Sequence, residues 1–277
     1  MIIGNQEFDT KNRCYIMAIL NVAPDSFSDG GKWATPEKAL LRVEELIKDG
    51  ADIIDVGGES TRPGYSMISE SEEIDRVAPV IEALSGRFEI PISIDTYKSA
   101  VAEVGLNAGA VFINDIRGLK YDPKMAGLIG HTGASCCLMH NRENADYSDF
   151  MPDLLTGLLE SVELAKNAGI KDNKIVLDPG VGFDKTYEMD LEVIYRLNMV
   201  VELGYPVLLG TSRKRVIGTT LGLPVDERVE GTLATTVIGV MRGCSFIRAH
   251  DVKETKRAIT MTEAVLRGAE RTRNNEQ

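Results

Sequence analysis

Residues 51–96 read ADIIDVGGESTRPGYSMISESEEIDRVAPVIEALSGRFEIPISIDT, one unit of strand, loop, helix and strand. Its outer runs, ADIIDVGG and PISIDT, are short, β-branched and bounded by turn residues, as buried strands are. Between them SEEIDRVAPVIEALSG spaces its apolar residues three and four apart, the period of an amphipathic helix. Ser69 and Glu72 are placed for a capping box, and Gly86 for a C-cap. The same pattern recurs outward in both directions: YIMAILN from Tyr15, VFINDI from Val111, ASCCLMH from Ala134, KIVLDP from Lys174, PVLLGTS from Pro206 and SFIRAH from Ser245. PEKALLRVEELIKDG reads as another helix, with Thr35 before Pro36 at its start and Gly50 at its end. Eight β units alternating with helices over about 250 residues match an α/β chain folded as a single (β/α)8 barrel spanning 1–277, with its active site at the C-terminal ends of the strands. The alternative is a doubly wound sheet, but no G-x-G-x-x-G follows the first strand.

Composition narrows the function. The chain has 277 residues, with 42 Asp and Glu against 31 Lys and Arg, a net charge of -11 and 43% hydrophobic residues. An acidic chain without a basic tail has the wrong far field for nucleic acid, though local basic clusters can hold a small anion. No run of apolar residues is long enough to span a membrane and no export signal is legible, so no membrane partner is expected. Cys14, Cys136, Cys137 and Cys244 show no C-x-x-C spacing, and Cys136 and Cys137 fall on opposite faces of a strand, which predicts reduced thiols and a cytoplasmic location.

Polar residues gather at the ends of the predicted strands: Asn21, Asp55, Asp95, Asn114, Asp115, His140, Asp178, Ser212, Arg248 and His250. Side chains alternate across a barrel strand, so Ser93 and Asp95 share one face, as do Val176 and Asp178, and both aspartates are expected to point inward. Asp115 has the opposite parity from Asn114 and reads as a turn or helix cap; Asp55, immediately before a Gly-Gly turn, fits either role. GTSRKRVIG, residues 210–218, ends the seventh strand and opens a helix. Three cations at a helix start are unfavourable unless they serve an anion, so Arg213, Lys214 and Arg215 read as an anion site beside the same-face pair Arg248 and His250. The two Gly- and Ser-rich loops, Val22–Ala34 and Gly57–Ser69, follow strands directly, where active-site loops belong. No zinc spacing and no nucleophile motif is present; a hard cation such as Mg²⁺, held mostly by substrate phosphate with Asn21 as a protein oxygen, would leave little further trace. These parts suit a substrate with a donor-rich amino-pyrimidine head, matched to carboxylate acceptors, and a phosphorylated tail.

ILNVAPDSFSDGG, IIDVGGESTRPG, SIDTYKS, INDIRG, LMHNR, LDPGVGFDK, GTSRKRVIG and IRAHD resemble, in order, the motif blocks of the dihydropteroate synthase family. One departure is visible: Ala23 stands where the family usually carries threonine. The resemblance implies condensation of 6-hydroxymethyl-7,8-dihydropterin diphosphate with p-aminobenzoate, with Asp95, Lys214, Arg248 and His250 as catalytic residues. It implies that Asp95, Asn114, Asp178, Lys214 and Arg248 bind the pterin, that Asn21, Arg62, Arg248 and His250 bind the diphosphate, and that Asn21 is the Mg²⁺ ligand. Phe27, Thr61, Arg62, Pro63, Phe183 and Arg215 would surround p-aminobenzoate, and the enzyme would be a homodimer and a sulfonamide target. A methyltetrahydrofolate-dependent methyltransferase would have no use for the TSRKR and Arg248/His250 groups, and a non-catalytic pterin-binding paralogue would have no reason to keep the full set.

Overall fold

The computed structural model describes residues 1–23, 33, 35–60 and 67–275, with side chains to Gly268. An N-terminal hairpin, β1 (Ile2–Ile3) and β2 (Gln6–Glu7), precedes eight parallel strands. These are β3 (Tyr15–Asn21), β4 (Ile53–Gly57), β5 (Ile92–Asp95), β6 (Phe112–Asp115), β7 (Ser135–Met139), β8 (Ile175–Asp178), β9 (Leu208–Leu209) and β10 (Phe246–Ala249). Their order is β8-β7-β6-β5-β4-β3-β10-β9, and a parallel bridge between Leu177 and Val207 joins the two ends. The expected (β/α)8 barrel is therefore the observed one, with the seventh barrel strand reduced to two residues where Pro206 has no N–H to pair. The helices outside it are α1 (Pro36–Asp49), α2 (Glu70–Arg87), α3 (Ser99–Asn107), α4 (Met125–Thr132), α5 (Phe150–Asn167), α6 (Tyr187–Tyr195), α7 (Leu197–Val201), α8 (Arg215–Leu221), α9 (Val229–Met241) and α10 (Val252–Asn275). None of them is long and apolar enough to cross a membrane, among the described residues.

Strand parity sorts the side chains. Ile16, Ile54, Ile94, Ile113, Cys136, Leu177 and Ile247 face the helices and form the outer core. Met17, Ile53, Phe112, Cys137, Val176, Leu208 and Phe246 face inward and fill the lower barrel, closed from below by Ile3 and Phe8 of the hairpin segment. Each such buried apolar side chain contributes about 1.5–3 kcal/mol relative to exposure. Cys136 and Cys137 thus lie on opposite faces, as the alternation requires, and all four cysteines are free.

Helix ends follow the sequence with two exceptions. Gly50 is a left-handed C-cap of α1, and Ser69 Oγ accepts the Glu72 amide at 3.2 Å. The Glu72 carboxylate, however, pairs with Arg76 at 2.6 Å, so only half of the capping box forms. Gly86 does not end its helix: α2 continues to Arg87 and is capped at Phe88.

Candidate active site

Inward residues one step above the apolar plug are polar on strand after strand. Asp55 follows Ile53, Asn114 follows Phe112, Asp178 follows Val176 and Arg248 follows Phe246, each two residues on and so on the same face. Across the sheet, Asn21, Gly57, Asp95 and Asn114 are consecutive partners in one register row. A polar layer thus closes the upper barrel.

Arg248 organises half of it. Its Nε donates to Asp55 Oδ2 and its Nη2 to Asp95 Oδ2, both at 2.6 Å. Asp55, fully buried, also receives Ser93 Oγ at 2.5 Å and Asn114 Nδ2 at 3.1 Å. The two open roles for Asp55 therefore resolve toward the site, and the shared parity with Ile53 is the signal that finds it. Asp115 takes the turn role instead, accepting the Arg117 and Leu119 amides at 2.8 Å. Burial raises Asp95 to about 7 despite the opposing charge of Arg248, and the Arg248 guanidinium is held above its ordinary range by Asp55 and Asp95 against the cost of burial. Asp95 Oδ1 is buried and accepts no hydrogen bond among the described residues, an open acceptor that costs stability unless something donates to it.

The other half is built on β8, β9 and the segment after β9. A methyl at Gly210 would lie 3.8 Å from Arg248 Cβ and 3.9 Å from both Asp178 Oδ2 and Lys214 Nζ, so these three groups converge on one floor that glycine keeps open. Asp178 Oδ1 accepts the Gly180 amide at 2.7 Å. Burial raises the Asp178 carboxyl above its usual range, with Lys214 opposing, and lowers Lys214 to about 8, with Asp178 opposing. Lys214 Nζ donates to Val181 O and lies 4.5 Å above the Phe183 ring centroid.

The side chains of the basic trio do not converge on one point. Arg213 has a left-handed backbone and its guanidinium engages Asp251 at 2.5 and 3.0 Å, Lys214 enters the polar layer, and Arg215 is exposed with Nη2 donating to Lys185 O at 2.9 Å. The reason is local: a positive φ at Arg213 sends neighbouring side chains in different directions. His250 sits beside Ser212, whose Oγ accepts the His250 amide at 3.2 Å and lies 3.0 Å from Nδ1. Phe183 packs on Tyr97, Ile116 and Met139 at the mouth. Phe27, Thr61, Arg62 and Pro63 lie outside the described residues.

A buried network missed by the motif reading stands behind the Asp95 wall. Lys98 Nζ donates to Glu59 Oε2 at 2.6 Å, Glu73 Oε2 at 2.7 Å and Ile68 O at 2.9 Å, and the Tyr97 hydroxyl donates to Glu59 Oε1 at 2.6 Å. It ties Glu59 to Ile68. Its members are up to 39 residues apart, which no local spacing reveals.

Comparison with known proteins agrees with this geometry. The family model described as pterin binding enzyme matches residues 17–250. The dihydropteroate synthase of Clostridium beijerinckii is 56% identical over 96% of this chain and 100% of its own. A crystal structure of the Clostridium difficile dihydropteroate synthase in the presence of pteroic acid superposes with a TM-score of 0.90 at 50% identity, covering 94% of this chain and 99% of that one. The Xanthomonas albilineans dihydropteroate synthase with 4-aminobenzoic acid gives a TM-score of 0.87 at 39% identity, covering 92% and 94%. With the polar layer, the barrel and these relatives in agreement, the chain belongs to the pterin binding enzymes, and among them to the dihydropteroate synthases.

Proposed function

We propose that the polar layer binds 6-hydroxymethyl-7,8-dihydropterin diphosphate and presents its exocyclic methylene carbon to p-aminobenzoate. The carbon–oxygen bond to diphosphate breaks, the aryl nitrogen forms a carbon–nitrogen bond, and that nitrogen loses a proton, giving 7,8-dihydropteroate. The observation that carries this reading is the buried Asp95 Oδ1, without a hydrogen-bond partner among the described residues, in a layer shared with Asp178, Lys214 and Arg248. Two carboxylates accept from a 2-amino-pyrimidine edge, while Asn114 and Lys214 answer the ring's acceptors. Carboxylate charge beside the ring favours the cationic character that develops as diphosphate departs, and Arg248 with His250 receives the anion.

Mg²⁺ is the proposed metal. Among the described residues no group of three or more His, Cys, Asp or Glu could hold a metal by themselves. A methyl at Gly57 would lie 3.4 Å from Asn21 Oδ1 and 3.7 Å from Asp95 Oδ2, so one neutral oxygen stands at the edge of the polar layer. That donor set fits a hard cation carried mainly by substrate oxygens. Bound to Asn21 and the diphosphate, Mg²⁺ would offset charge on the leaving group.

Phe183 and Arg215 are proposed to border the p-aminobenzoate site together with Phe27, Thr61, Arg62 and Pro63, with Arg62 also reaching the diphosphate. A cytoplasmic homodimer is the expected form. The free cysteines support the compartment. Exposed apolar Tyr195, Leu221, Ile238, Met241, Met261 and Val265, on α9 and on the helices α6, α8 and α10 that each pack against it, support a self-association face. The test is diphosphate release from the pterin substrate. Release requiring both p-aminobenzoate and Mg²⁺, and stopped by EDTA, is expected; folded protein that releases none refutes the reading.

A further inference from the structure

Lys185 is a lysine with 4% exposure that forms no ion pair among the described residues. Its Nζ lies 3.1 Å from Phe183 O and 3.4 Å from both His140 O and His140 Nδ1. An ammonium can only donate, so both carbonyl oxygens are acceptors for Lys185, and His140 Nδ1 accepts where it engages the ammonium. Burial and the neighbouring Lys185 charge push His140 down to about 3, and burial lowers Lys185 to about 8. A buried cation supplied only with neutral acceptors is costly, and such costs are retained where geometry matters.

The geometry concerned is the turn after β8. Gly180 and Gly182 have φ of +72° and +79°, and a methyl at Gly180 would meet His140 O at 2.1 Å and approach Lys185 Nζ to 3.2 Å. The Phe183 amide donates to Gly180 O at 3.2 Å, and Gly182 N donates to Asp190 Oδ1 at 2.7 Å. His140 in turn is held to the barrel by its amide, which donates to Asp178 O at 2.8 Å. The upper side of the turn meets Lys214 twice, through Val181 O and through the Phe183 ring.

We propose that Lys185 is a positioning residue: donating to Phe183 O and to His140, it fastens the Gly180–Phe183 turn to the end of β7 and so sets where the Phe183 ring stands at the arylamine site. This rests on the dihydropteroate synthase reading and extends it to a residue that touches neither substrate. Lys185→Met keeps the length of the side chain and removes its donors. With wild-type turnover established, the KM for p-aminobenzoate is expected to rise about tenfold in Lys185→Met, the scale on which small misplacements act. Affinity for 6-hydroxymethylpterin, measured by calorimetry, should stay within about threefold, and the melting temperature within about 5 °C. In a Phe183→Ala background the same substitution should change that KM less than about twofold, because the group through which it acts is gone. An unchanged KM in Lys185→Met, or an equal rise in both backgrounds, overturns the proposal. Should Lys185→Met not fold, Lys185→Leu, which likewise has no donor, carries the same comparison with the same two outcomes. A folded wild type that makes no dihydropteroate overturns the functional reading and this assignment together, whereas an active wild type with an unmoved KM overturns this assignment alone.

Discussion

Replacing Arg248 by alanine removes a cation that touches both Asp55 and Asp95, each at 2.6 Å. Taking one partner from a buried pair costs about 3–5 kcal/mol, and the partial exposure of Arg248 places this case at about 3 kcal/mol in mildly alkaline buffer. The pH dependence follows from Asp95. Its folded value of about 7 lies above the ordinary 3.8, so the ionised carboxyl opposes folding. The folded apo protein therefore takes up a proton near 7 that the unfolded chain takes up only near 3.8, and stability rises as the pH falls through that window. The slope is at most about 1.4 kcal/mol per pH unit. Without Arg248 the Asp95 value moves higher still, the variant begins to recover at a higher pH than wild type, and the difference between them narrows on acidification. Urea unfolding of both proteins without ligand at about pH 8.5 and about pH 6 is the assay, with a deficit near 3 kcal/mol at the higher pH and about half of it at the lower. A deficit below about 0.5 kcal/mol, or one that does not change with pH, would show that Arg248 does not hold the Asp55 and Asp95 charges in the folded protein. The folded variant is also expected to bind the diphosphate-bearing substrate more weakly than wild type does.

Asp178→Ala should keep the fold and weaken pterin binding by about a hundredfold, the loss of two charge-assisted hydrogen bonds; unchanged affinity by calorimetry would remove Asp178 from the site. Gly210→Ala places a methyl at ordinary contact distance, 3.8–3.9 Å, from Arg248, Asp178 and Lys214. Stability should therefore stay within about 1 kcal/mol while pterin affinity falls about tenfold, and equal affinities would show that the pterin does not rest on this floor. Pterin affinity of the wild type should decline as pH falls below about 7, where Asp95 gains a proton, and above about 8, where the half-buried Lys214 ammonium loses one. The acid limb, up to tenfold per pH unit, should vanish in Asp95→Asn; its persistence there would assign it to another group.

Much of this site is legible in strand parity. Once YIMAILN, PISIDT and KIVLDP are read as barrel strands, the alternation places Asp95 and Asp178 inside without any knowledge of partners, and the same rule carried from Ile53 would place Asp55 there too. Parity fails where the chain leaves regular structure. The fate of Arg213, Lys214 and Arg215 turns on one residue with positive φ, which a basic tripeptide does not announce. Lys98 and Lys185 are buried by contacts with residues 25 to 45 positions away, so each reads locally as an ordinary surface lysine. Gly86 shows the opposite error: glycine permits a C-cap but does not impose one, and α2 runs past it to Phe88.

Transfer of a pterinylmethyl group to an arylamine by this polar layer is directly measurable. Wild type and Asp95→Asn, incubated side by side with 6-hydroxymethyl-7,8-dihydropterin diphosphate, p-aminobenzoate and Mg²⁺, should be assayed for dihydropteroate by mass spectrometry. Product from the wild type that depends on p-aminobenzoate, formed at least about a hundredfold more slowly by Asp95→Asn, is the predicted result. No dihydropteroate from folded wild type, or equal rates from the two proteins, would contradict it.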